Sequence, residues 1–180
     1  MIARLGGRAL LSLALGGILG ACAAASSFDG ATVRGTTGVA YRIGDVPPGW
    51  RRIEIPSADL AFRDDAHEAS ILVNGRCSGR DIDAPLPVLV RHLMMGTTEE
   101  KPLDDDPKPI PLDGREALQR LLEAKLDGVV MHYDVFVLKK DACVYDLVYV
   151  APPSHFDGGR AEFDGFARGF HTLPSSGGVK

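Results

Sequence analysis

Residues 129–151, Val129-Val-Met-His-Tyr-Asp-Val-Phe-Val-Leu-Lys-Lys-Asp-Ala-Cys-Val-Tyr-Asp-Leu-Val-Tyr-Val-Ala151, decide the fold class. Val129 to Leu138 and Ala142 to Val150 are dense in β-branched and aromatic side chains, which suit a pleated, half-buried surface. Lys139-Lys140-Asp141 between them reads as a tight turn, so the stretch predicts an antiparallel hairpin. Pro152-Pro153 stop it, because proline has no N–H to give a strand ladder. Beyond them Phe163, Phe166 and Phe170 recur at helical spacing and predict a closing helix.

Upstream of the hairpin the reading divides. Leu118, Leu121 and Leu122 within Gly114–Lys125 fall at helical spacing, and the local propensities favour helix. The same residues also alternate passably as a strand. Thr97 to Pro111, with Glu99-Glu100, Asp104-Asp105-Asp106 and several prolines, predicts an exposed loop. Leu86, Leu89, Val90, Leu93 and Met94 mark a helix with Arg91 and His92 on its polar side; Pro85 and Pro87 suit its first turn and Gly96 its end. Further upstream, Val39-Tyr41-Ile43, Trp50–Ile55, Leu60–Phe62 and Ala69–Val73 read as short strands, the last two joined by a loop over 63–68. Strands, helix, strands, helix is an α+β order with antiparallel pairing. One domain is expected over 39–173, preceded by a small, polar, Gly-rich tether over 22–38 and followed by a disordered tail over 174–180.

Several of these segments together resemble the PsbP-like superfamily. They are the Gly49-Trp50 turn, the Leu60-Ala-Phe62 strand, the mid-chain helix, the Leu112-Asp-Gly-Arg-Glu-Ala-Leu118 run, the Cys143–Ala151 strand and the Phe-rich helix. That group includes the extrinsic photosystem II protein, a Ran-binding nuclear-transport factor and many small bacterial lipoproteins. The resemblance implies an antiparallel β-sheet flanked by helices, an α/β/α sandwich, over about residues 39–173. It also implies a strand, not a helix, for about Arg115 to Ala124. It implies no shared catalytic residues, since the group consists mostly of binding and assembly modules.

The N-terminus carries an address. Arg4 and Arg8 precede an apolar run from Ala9 to Ala21, the length of a signal-peptide core and too short to span a bilayer. Leu19-Gly20-Ala21-Cys22 resembles the lipobox of bacterial lipoproteins. That resemblance implies removal of residues 1–21, acylation of Cys22 and a lipid-anchored protein. Ala23, where an aspartate would favour inner-membrane retention, points to the outer membrane facing the periplasm. In such an oxidising compartment Cys77 and Cys143 are expected to form a disulfide, which for a loop of this length stabilises by roughly 4 kcal/mol. Two buried thiols are the bland alternative.

The 20 basic and 24 acidic residues leave a formal net charge of −4, and residues 1–21 hold two of the former and none of the latter. Without a basic cluster, nucleic acid is not an expected partner. The membrane, through the N-terminal lipid, and an envelope protein are. No nucleophile elbow, phosphate loop, zinc-protease pattern or calcium loop is present, so no catalytic residue, metal or cofactor is expected. His67 stands in an acidic loop that is most simply solvated. His132 and Asp134 share a strand face, as do Tyr145 and Tyr149, and these four are the candidate binding residues. The expected function is a non-catalytic binding or assembly module of the envelope. The alternatives are a hydrolase whose site is assembled from distant residues, and a carrier for a small apolar ligand with a cavity between sheet and helix.

Overall fold

A computed structural model describes residues 26–77 and 82–174. Its centre is the predicted hairpin: β10 (Val129–Lys140) pairs with β11 (Cys143–Ala151) from His132↔Ala151 to Lys140↔Cys143. The two turn residues Asp141 and Ala142 both have positive φ, 52° and 59°. That is the turn whose twist matches the right-handed twist of the flanking strands. On the far side of β11 lies β6 (Ala69–Arg76), then β5 (Leu60–Asp64), then the short edge β4 (Arg51–Ile53).

On the other side β10 pairs with β9 (Arg115–Leu126), so Arg115–Ala124 is strand against its local propensity. Asp113-Gly114 and Asp127-Gly128 close both of its ends with positive φ at all four residues. Thr97–Pro111, expected as an exposed loop, is instead mostly strand. β7 (Thr97–Pro102) and β8 (Lys108–Leu112) pair in succession along the outer edge of β9. Its charges and prolines belong to a sheet edge, where they deny a foreign strand its donors.

Alternation of side chains on this sheet divides the core in two. Leu118, Leu122, Tyr133, Val135, Val137 and Val144 face α1 (Leu86–Leu93), which adds Leu89, Val90 and Met94. Phe136, Leu138, Tyr145, Leu147 and Tyr149 face α2 (Phe156–Arg168), which adds Phe156, Phe163, Phe166 and Ala167. Phe163 is fully buried, stacked 5.5 Å from Tyr149 and edge-on to Phe136. Burial of one such ring contributes about 1.5–3 kcal/mol. Phe170 lies just past the helix but is buried between Tyr41 and Tyr145.

The tether expected over 22–38 is corrected for its described part. β1 (Ser27–Phe28), β2 (Thr32–Arg34), β3 (Ala40–Arg42) and β12 (His171–Thr172) form a second antiparallel sheet beside α2. Val33 is fully buried opposite Tyr41, and Asp29 accepts hydrogen bonds from the N–H of Ala31 and Thr32 to close the first turn. Burial of that valine and eight-residue proximity to β3 hold the segment in the fold. Cys22 and residues 175–180, the rest of the expected tail, lie outside the described residues.

Gly44 fixes how this small sheet meets α2. Its N–H donates to the Phe166 carbonyl at 3.0 Å, and a Cβ there would sit 2.7 Å from that oxygen. Gly44→Ala must push backbone away from backbone, so it is expected to destabilise by about 1–3 kcal/mol in urea unfolding. Wild-type stability in that variant would show that the contact is looser than the geometry requires.

Candidate binding cleft

Beside α1 an apolar cleft of about 430 Å³ opens between the helix and the β7–β9 side of the sheet. Leu118 and Leu122 of β9 and Val90 of α1 form its floor, and Pro102 and Pro107 form its outer wall. Leucines at 118 and 122 point the same way because even positions of β9 share one face. Around the rim stand Arg91, Glu100, Lys101 and Arg120. Arg91, Glu100 and Lys101 are exposed. Arg120 lies 3.6 Å from Asp104, whose other oxygen accepts the Leu121 N–H at 3.1 Å. An apolar floor within a charged rim is the anatomy of a recognition surface.

A polar hollow flanks α1 on its other side, lined by Asp59, Asn74, Arg76 and His92 among others. Beneath it Asp146, buried to 1 % side-chain exposure, accepts from Arg76 at 3.0 Å and from Asn74 Nδ2 at 3.0 Å. Burial raises its carboxyl pKa; these two partners only partly offset that, and the neighbouring Asp59 charge adds to it. Asp59 accepts from the N–H of Gly75 at 2.9 Å and of Thr36 at 3.2 Å. Every oxygen of the pair thus has a partner, which makes the cluster a brace between the two sheets.

The four candidate binding residues are all on the α2 face. Tyr145 and Tyr149 are core: Tyr149 Oη donates to the Phe156 carbonyl at 2.9 Å and its ring stacks on Phe163, while Tyr145 packs on Tyr41. They present no ring surface to a ligand because α2 and the small sheet cover them. His132 and Asp134 do share a face but are engaged separately. His132 Nε2 lies 3.2 Å from Glu123 and its ring meets Phe156 edge-on. Asp134 is fully buried, accepting from Gln119 at 2.9 Å and from Arg160 at 3.0 Å, with burial raising its pKa. The shallow hollow over Asp134 is lined otherwise by Asp157, Arg160, Ala161 and Asp164, none of them a hydroxyl or thiol.

His171 contacts Asp113, and His155 lies 3.8 Å from Glu68. His67 contacts Asp64 instead of standing free in its loop. Among the described residues no cluster of three or more His, Cys, Asp or Glu is placed to hold a metal. Cys77 and Cys143 are joined by a disulfide between the ends of β6 and β11. The cleft itself was not singled out from sequence, since its lining comes from four separate segments.

An antiparallel sheet with helices on both faces is an α+β fold, and solved PsbP-like structures share it. Among solved structures the chain is similar to cyanobacterial PsbP (CyanoP) from Synechocystis sp. PCC 6803, at 16 % identity over 76 % of this chain and 88 % of that one, with a TM-score of 0.53. It is equally similar to LpqN of Mycobacterium tuberculosis, described as involved in cell envelope biogenesis, at 14 % identity over 76 % and 86 %, TM-score 0.53. A Mog1 mutant follows at 14 % identity over 77 % and 93 %, TM-score 0.51. At such identities the likeness concerns the fold. No family model matches the sequence, and no curated protein does.

Proposed function

We propose that this chain is a lipid-anchored module of the cell envelope that binds a partner protein in the cleft beside α1 and performs no chemistry of its own. The observation that carries the reading is the apolar floor of Leu118, Leu122 and Val90 inside the rim of Arg91, Glu100 and Lys101. The prolines of the neighbouring edge suppress strand addition, so a partner approaches the cleft and not the edge. Acylation at Cys22 in the outer membrane, facing the periplasm, supplies the address. A fold shared with a protein described as acting in envelope biogenesis supports that setting.

The test is photo-cross-linking in the native cells from benzoylphenylalanine at Glu100, with and without the double exchange Arg91→Glu, Lys101→Glu. Both exchanged residues are exposed, so the fold is expected to stand. Capture of one envelope protein, weakened about tenfold by the exchange (about 1.4 kcal/mol), supports the reading. Capture unaffected by the exchange removes the cleft from it. The same cleft also favours a second reading, a carrier for a small apolar molecule. An apolar compound retained in native mass spectra of the purified protein would favour that one.

A further inference from the structure

Ser26, four residues after Cys22, has a place in the domain. It lies at the β4 edge of the large sheet, lining a hollow of about 420 Å³ with Thr36, Arg52, Ile55, Pro56 and Ala58. Because residues 26–38 are folded, the leash between Cys22 and the domain is only four peptide steps. Whatever path it takes, such a stretch spans no more than about 14 Å. A longer tether would let the domain tumble; this one fixes which side meets the anchor.

The chemistry of that side suits a phospholipid surface. Phe28 of β1, half-buried edge-on against Phe62, has the Arg52 guanidinium 5.8 Å above its ring. Ile53 and Ile55 are half-buried there, and Arg34, across from Ser27 in the small sheet, is exposed. Guanidinium groups match phosphate oxygens in geometry and charge. The cleft lies elsewhere. In the order β4-β5-β6-β11-β10-β9-β7 it sits against β9 and β7, toward the opposite edge of the sheet.

We propose that the β4 edge rests on the bilayer and that the sheet holds the α1 cleft outward, so that the cleft's partner arrives from the aqueous side. This rests on the lipid-anchor reading above and adds an orientation to it.

The experiment takes the protein from membranes of cells expressing the full chain and reconstitutes it into phosphatidylethanolamine–phosphatidylglycerol vesicles. Benzoylphenylalanine replaces Glu54, in the β4-edge hollow, or Lys101, at the cleft rim; both are exposed. Intact mass of the same samples reads the lipid on Cys22. Lipid adducts from position 54 and none from position 101 are expected. About twenty Gly and Ser residues inserted between Ala25 and Ser26 should lower the adduct at 54 roughly tenfold by diluting the edge away from the surface. If Cys22 carries lipid but both positions label equally, or only 101 does, the orientation is overturned while the anchor stands. An unchanged adduct at 54 after the insertion overturns the role of the short leash. If Cys22 carries no lipid, the anchor reading falls and the orientation falls with it.

Discussion

Replacing Cys77 and Cys143 together by alanine is expected to lower the unfolding free energy by about 4 kcal/mol, the largest single effect at any position considered above. The bridge closes a loop with a sequence separation of 66, containing α1 and strands β7 to β10. In the unfolded chain it excludes most of the conformations in which β6 and β11 are far apart. In the folded chain it joins two strands that already pair, Val144 opposite Arg76. Its effect is therefore exerted mainly on the unfolded state. Urea unfolding of the oxidised protein, the reduced protein and the double variant measures it. The last two should fall together, well below the first. A difference under about 1 kcal/mol would mean that the reduced unfolded chain already keeps the two strands close.

Asp113→Asn is expected to cost about 2 kcal/mol at pH 7 and to flatten the acid limb of the stability curve. Asp113 occupies the β8–β9 turn with φ 50°, a conformation that asparagine also tolerates, so the exchange removes charge without adding backbone strain. Its carboxylate is 2 % exposed and sits among Lys140 Nζ at 2.8 Å, the Thr172 hydroxyl at 2.7 Å, the Thr172 N–H at 2.8 Å, and His171. Burial alone would raise its pKa, but the hydrogen bonds from Lys140 and Thr172 and the charge of His171 hold it at about 2 instead. A carboxylate depressed in the folded state contributes stability that is fully present above its ordinary value of 3.8 and is lost as pH falls toward 2. The gap between wild type and variant in urea should therefore close over that window. A gap that persists unchanged at pH 2.5 would assign the effect to lost hydrogen-bond geometry, not to charge.

The residues around β9 show how far the sequence could be read. Its leucines at 118, 121 and 122 mimic helical spacing because the strand is covered on both faces, Leu118 and Leu122 by α1 and Leu121 by the α2 side. A strand buried on both sides loses the apolar–polar alternation that identifies strands. The resemblance to PsbP-like proteins favoured strand, and a local signal agreed: Asp113-Gly114 and Asp127-Gly128 frame the segment with the dipeptide that hairpin turns select. Thr97–Pro111 failed for the opposite reason. Charged and Pro-rich, it reads as a loop, yet an edge strand pairs through its backbone on one side only and tolerates both. Residues 26–38 escaped because strands of two and three residues are too short to show a period.

The candidate residues divide the same way. That His132 and Asp134 share a face followed from alternation alone, but that Arg160 and Gln119 claim Asp134 did not. Tyr145 and Tyr149 were legible as one stripe, and only the position of α2 made that stripe core.

By itself, the sequence determined the local elements: the central hairpin, both helices and the cysteine pair suited to a bridge; the export signal and acylation motif it leads one to expect lie outside the described residues. Each of these is written in neighbouring residues, through side-chain periodicity, turn chemistry or a short motif. The tertiary structure decided the rest: the cleft beside α1, the braced cluster around Asp146, and the place of Ser26 at the β4 edge. A cleft is the space left between elements from distant parts of the chain. Its volume is set by how far a helix stands from a sheet edge, and no single stretch of sequence encodes that distance.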